Sequence, residues 1–139
     1  MAITYENVVF ERIIESLNTL LADEFSIPVR YDEHKGNQSF LITPGEDELI
    51  ELISHGQSRT YSILISYEIT SGGEYTKNNV KQVSETAERV KRLIHNNTAY
   101  SPSDVYKWHD GRIETITYAR GDGILSANME FMCASVESI

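Results

Sequence analysis

The stretch SRTYSILISYEI, Ser58 to Ile69, alternates along its whole length. Arg59, Tyr61, Ile63, Ile65, Tyr67 and Ile69 are bulky and mostly apolar. Ser58, Thr60, Ser62, Ser66 and Glu68 are small or polar, with Leu64 alone among them. A period of two with β-branched and aromatic residues on one side predicts a half-buried β-strand. The bulky side belongs to a core. What the small side faces is the question that bears on function.

Working outward, HGQS before this stretch predicts a hairpin loop, so ELIELIS ahead of it is read as the partner strand. Its Leu49, Ile50, Leu52 and Ile53 fit a buried strand or one short helix, and the loop behind them favours the strand. Further back, QSFLITP predicts a strand ending at Pro44, with GED continuing the turn. DEHKGN is turn chemistry around Gly36 and Asn37, and IPVRY after the break at Pro28 is a short extended piece. Beyond Ile69, Gly72 and Gly73 close the run of strands. A helix then spans about Thr76 to Asn96, with Val80, Val83, Ala87, Val90 and Ile94 on one apolar stripe and Leu93 at its edge. Basic residues and His95 in its last turns suit the helix dipole.

At the other end of the chain, Val9, Ile13, Leu17, Leu20 and Leu21 have helical spacing between Tyr5 and Glu24. Thr4 is the expected N-cap, Glu6 suits the first turn, and Arg12 falls on the solvent side. After the second helix YSPSD is a connector. Asp110-Gly111 between VYKWH and RIETITYA is the strongest hairpin signal. RGDG makes a further turn before a last strand, Ile124 to Glu137. The order helix, strands, helix, strands predicts one α+β domain over residues 1–139: a mostly antiparallel sheet with two amphipathic helices packed on one face.

Composition narrows the function. Twelve basic residues against twenty-one acidic ones leave a net charge of -9, which opposes tight binding to phosphate backbones. No apolar run approaches the length of a membrane span, and MAITYENVV lacks a signal-peptide pattern. With a single cysteine, Cys133, no internal disulfide or cysteine-based zinc site can form; its strand phase places it in the core. The expectation is a soluble intracellular domain.

Chemistry is sparse. His34, His55, His95 and His109 are scattered, without the spacing of a metal motif, and are read as solvated loop residues. Glu46, Asp47 and Glu48 form a solvated acidic turn. SGGEYTK lacks the spacing of a phosphate loop, and no serine sits in a nucleophile elbow. No catalytic residue, metal or cofactor is expected, and the chain is not read as an enzyme. What remains is surface. A solvated sheet face usually carries more Lys and Glu than Thr60, Ser62, Leu64 and Ser66 provide, so a neighbouring subunit is a candidate cover.

The element order resembles that of tail-terminator (tail-completion) proteins of long-tailed bacteriophages and related neck proteins. The likeness is carried by VRYDEHKGNQSFLITP, ELIELISHGQSRTYSILISYEI, the helix VKQVSETAERVKRLI and a terminal hairpin with a long last strand. The resemblance implies a structural virion protein of the tail or neck, assembled in the host cytoplasm. It implies a homo-oligomeric ring, a hexamer, capping the head-proximal end of the tail tube. Its partners would be copies of itself, the tail tube protein and a head-completion protein, with DNA passing through an acidic lumen unheld. Thr60, Ser62, Leu64 and Ser66 would form one subunit patch, and Tyr75, in the loop SGGEYTKNN, would anchor the other. A head-closure or connector-adaptor protein, a contractile-tail terminator, and a small cellular α+β binding module or enzyme subunit are the alternatives.

Overall fold

The computed structural model describes residues 2–72 and 75–138. It is α+β, a five-stranded and mostly antiparallel sheet with two helices. The chain begins with wide π-helical turns, Val8–Ile14, that run directly into α1, Glu15–Glu24. Strands β1 (Val29–Arg30), β2 (Gln38–Ile53) and β3 (Gly56–Thr70) follow. Then come α2 (Lys77–His95), a 3-10 turn at Pro102–Asp104, and the hairpin β4 (His109–Gly121) and β5 (Ile124–Ser138). The strand order is β1-β2-β3-β5-β4, with only β1 parallel to its neighbour.

The phase predicted for Ser58 to Ile69 is the phase observed. Tyr61, Ile63, Ile65, Tyr67 and Ile69 are buried, and on β5 Leu125, Ala127, Met129, Phe131 and Cys133 are buried beside them. Val83, Ala87, Val90 and Ile94 of α2 and Ile13, Leu17 and Leu21 of the N-terminal helices join the same core. Burial pushes the Cys133 thiol up to about 12, so it stays protonated and unreactive at neutral pH. Val80, at the start of the predicted stripe, is half exposed and lines a groove with Tyr118 and Leu125.

Four local readings change. The N-cap is Asn7, not Thr4: its side chain accepts from Phe10 N at 3.2 Å, while Glu11 accepts from Asn7 N at 3.2 Å. Arg12 folds inward instead of facing solvent. Its guanidinium donates to Glu6, to Ser135 Oγ at 2.8 Å and to the Val136 carbonyl at 2.6 Å. Glu6 therefore serves Arg12 rather than the helix dipole, and that hydrogen bond holds its carboxyl below the usual range. Strand β2 does not end at Pro44. It continues through register shifts at Pro44/Asp47 and Leu49/Glu51, because the outer neighbour β1 pairs only with Phe40 and Leu41. A proline beside a bulge on an unpaired edge costs little ladder bonding.

The fourth change concerns the two Asp-Gly pairs. Asp122-Gly123 makes the tight turn of the β4–β5 hairpin, with φ of 52° and 75°, values suited to a two-residue loop between twisted strands. Asp110-Gly111 instead forms a bulge inside β4, between His109 and Arg112. Residues 100–108 close on themselves through Tyr100 and Trp108 rather than pairing as a strand with β4. A Cβ on Gly111 would come within 2.5 Å of Trp108 Nε1. The absence of a side chain at Gly111 leaves room for the buried indole.

Candidate functional site

The helices cover one face of the sheet. On the other, β3 presents Thr60, Ser62, Leu64, Ser66 and Glu68, in register with Ala134, Met132, Glu130, Asn128 and Ser126 of β5. The small-residue strip predicted from sequence is thus one continuous row, but its two ends differ. At the Ser66 end the chain covers itself. His34, from the loop after β1, lies across the strip with Nδ1 2.6 Å from Ser39 Oγ and Nε2 3.0 Å from Ser66 Oγ. Glu68 stands 3.7 Å from the same Nε2. Both serines are buried, so Ser66 is not available to a neighbour, and His34 is not the solvated loop histidine expected.

A histidine between two serines with a glutamate nearby invites comparison with a hydrolytic triad. The geometry argues otherwise. The carboxylate is on the same ring nitrogen as Ser66, not on the opposite one where it would orient the base. Ser39 is only 1% exposed, so a substrate cannot reach it. The cluster pins a loop to a sheet. His34→Ala would leave two buried hydroxyls without their shared partner, at an expected cost of about 1–3 kcal/mol, read as a lowered melting temperature.

At the other end the strip is open. Leu64 is 40% exposed. A shallow depression beside it is lined by Gly45, Glu46, Glu48, Thr60, Ser62, Glu130 and Met132. Ser62 Oγ accepts from Glu46 N at 2.7 Å and so holds the β2 bulge in place. The flat centre therefore carries carboxylates and no cation among its lining residues. Glu46 and Glu48 belong to this face; Asp47 pairs with Arg59 instead.

Tyr75 does not join this face. It packs against the core, accepts from Gly123 N at 3.2 Å, and carries the Arg120 guanidinium 5.1 Å above its ring. Its loop contains Gly73 and Glu74, which lie outside the described residues.

What sequence reading missed is the exposure of the β2–β3 hairpin tip. Leu49, Ile50, Leu52 and Ile53, expected in the core, are 44%, 54%, 69% and 43% exposed. They lie on the far half of β2, toward its turn into β3. Their spacing signals a strand, but nothing in it states that the strand outruns its cover. A second apolar surface lies at the other end of the sheet, where Val80, Val83, Tyr118 and Leu125 line a groove of about 440 Å³ between α2 and β4.

Among the described residues no group of three or more His, Cys, Asp or Glu could hold a metal ion, and no helix is long and apolar enough to cross a membrane. No protein-family model matches the chain, and no curated protein matches it significantly.

Proposed function

We propose that this protein is a structural component of a virion: a bacteriophage tail terminator that closes as a ring on the head-proximal end of the tail tube and joins it to a head-completion protein. The observation that carries the reading is the uncovered sheet face. A flat strip around Thr60 and Leu64, bordered by Glu46, Glu48 and Glu130, is built from short side chains and carboxylates. Short side chains permit a neighbouring subunit to approach closely. The net charge of -9 suits a passage that DNA must cross without adhering, because acidic residues repel phosphates. Capping then needs one ring face that matches the last layer of the tube and another that offers no copy of it.

The test is electron microscopy of particles assembled without this protein, then with Leu64→Arg. Leu64 lies outside the core, so the variant is expected to fold and melt like the parent while failing to cap. Abnormally long tails in both cases are the expected result. Finished tails of normal length beside heads that leak DNA would instead assign a head-closure role.

A further inference from the structure

We infer that the projecting tip of the β2–β3 hairpin of one copy seats in the α2–β4 groove of a second copy, forming the repeating seam of a head-to-tail ring. The inference deepens the ring reading above and rests on it. It starts from two apolar surfaces that a single chain cannot bring together. The tip surrounds the end of β5 at Ser138, since Gly56 registers with that residue. The groove surrounds the start of β5, with Leu125 and Ser126 in its wall. A strand of 15 residues separates them, a span of about 45 Å at the rise of an extended chain. Neither surface can therefore cover the other within one chain.

The tip is built as something to be covered. From Thr43 to Ile53 the outer edge of β2 pairs with no strand among the described residues. Natural edges of that kind are blunted by charges, proline, bulges or a covering element. This one has Pro44, two bulges and four carboxylates along it, but no covering element at its apolar tip among the described residues. Here the edge carries Leu49, Ile50, Leu52 and Ile53 and no lysine at all, with Val136 also exposed on β5 at the same end. A contiguous apolar patch at an open edge marks a contact surface.

Charge selects the occupant. Strand β2 carries Glu46, Asp47, Glu48 and Glu51 and no basic residue. The groove has the opposite sign at its rim: Arg120 lines it, and Lys77 lies one turn before Val80 on the same side of α2. Val80 and Tyr118, each about half exposed, supply the apolar floor that the leucines and isoleucines need. An acidic, apolar tip and a basic-rimmed, apolar groove on one chain are complementary. Because they are different patches, their contact is heterologous, and it closes into a ring or runs on as a filament according to its rotation.

The experiment is sedimentation of the full chain over a concentration series, using Leu52→Glu to spoil the tip and Val80→Glu to spoil the groove. Both positions are exposed, and unchanged circular dichroism melts verify the fold. The parent is expected to form closed rings, free or on isolated tail-tube ends. Either variant alone is expected to associate at least about tenfold more weakly, a change of about 1.4 kcal/mol per seam. An equal mixture of the two is expected to stop at a one-to-one dimer, because only one tip and one groove in each pair remain intact. Rings that survive both substitutions would overturn this seam while leaving the ring reading in place. A parent that stays monomeric in solution and at tube ends would overturn both. Loss of binding to the tube protein by Leu52→Glu, with rings intact, would assign the tip to the tube and reject a second copy as its occupant.

Discussion

Val90→Asp is expected to abolish folding at neutral pH. Val90 is fully buried on α2, between its neighbours Ala87 and Ile94 on the stripe that packs on the sheet. A carboxylate placed there finds no water and no buried cation. An uncompensated buried charge costs about 3–5 kcal/mol, and lost valine packing adds to that, against a total domain stability of about 5–15 kcal/mol. The acid dependence gives a second reading of the same effect. Burial raises the introduced carboxyl's folded pKa above its unfolded value of about 3.9, so the penalty is largest at neutral pH. It should shrink as pH falls through the raised value, once the group is protonated in the folded state. Urea titration followed by the fluorescence of the single tryptophan checks both parts. Glu85→Ala on the opposite side of α2 is the control. Its carboxylate is 63% exposed and pairs with Lys81 at 3.7 Å, so its loss should change stability by no more than about 0.5 kcal/mol.

Trp108→Ala should be nearly as damaging. The indole is fully buried, stacked on Tyr100 with ring centres 4.8 Å apart and edge-on to Phe131 at 5.2 Å. Its Nε1 donates to the Asn97 carbonyl at 3.0 Å, which ties the end of α2 to the start of β4. Removing the ring leaves a cavity between those elements at an expected cost of about 3–5 kcal/mol. Trp108→Phe retains most of the packing but leaves the Asn97 carbonyl without that donor, for about 1–3 kcal/mol. Thermal melts of the three proteins should therefore rank parent, phenylalanine, alanine. Equal melting of the two variants would mean that the hydrogen bond, which both lack, rather than the volume, holds this junction.

Both predictions concern positions where sequence and structure speak together, and their agreement has a local cause. The alternation at Ser58–Ile69 and the stripe through Val83, Val90 and Ile94 are one-dimensional records of which side of an element is covered. They settle the strand, the helix and the α+β class. Turn chemistry is recorded too, though with ambiguity. Two Asp-Gly pairs carry the same hairpin signal, and only the packing of Trp108 against Gly111 decides that the first becomes a bulge.

Contacts between distant segments leave no such record. His34 looks like any loop histidine until β2 and β3 bring Ser39 and Ser66 to opposite sides of its ring. Arg12 looks like a solvent residue until the end of β5 offers it Ser135 and the Val136 carbonyl. Tyr75, an anchor toward a neighbour by sequence, also meets Gly123 and Arg120 of its own chain. The candidate face was legible as a row of small residues on β3, yet its division into a self-covered end at Ser66 and an open end at Leu64 was not. The tip of β2 shows the limit most directly. Leu49 to Ile53 have the composition of a buried strand, and composition measures a residue's preference for being covered. Whether cover arrives depends on how far the helices extend over the sheet, and that is set by the tertiary structure alone.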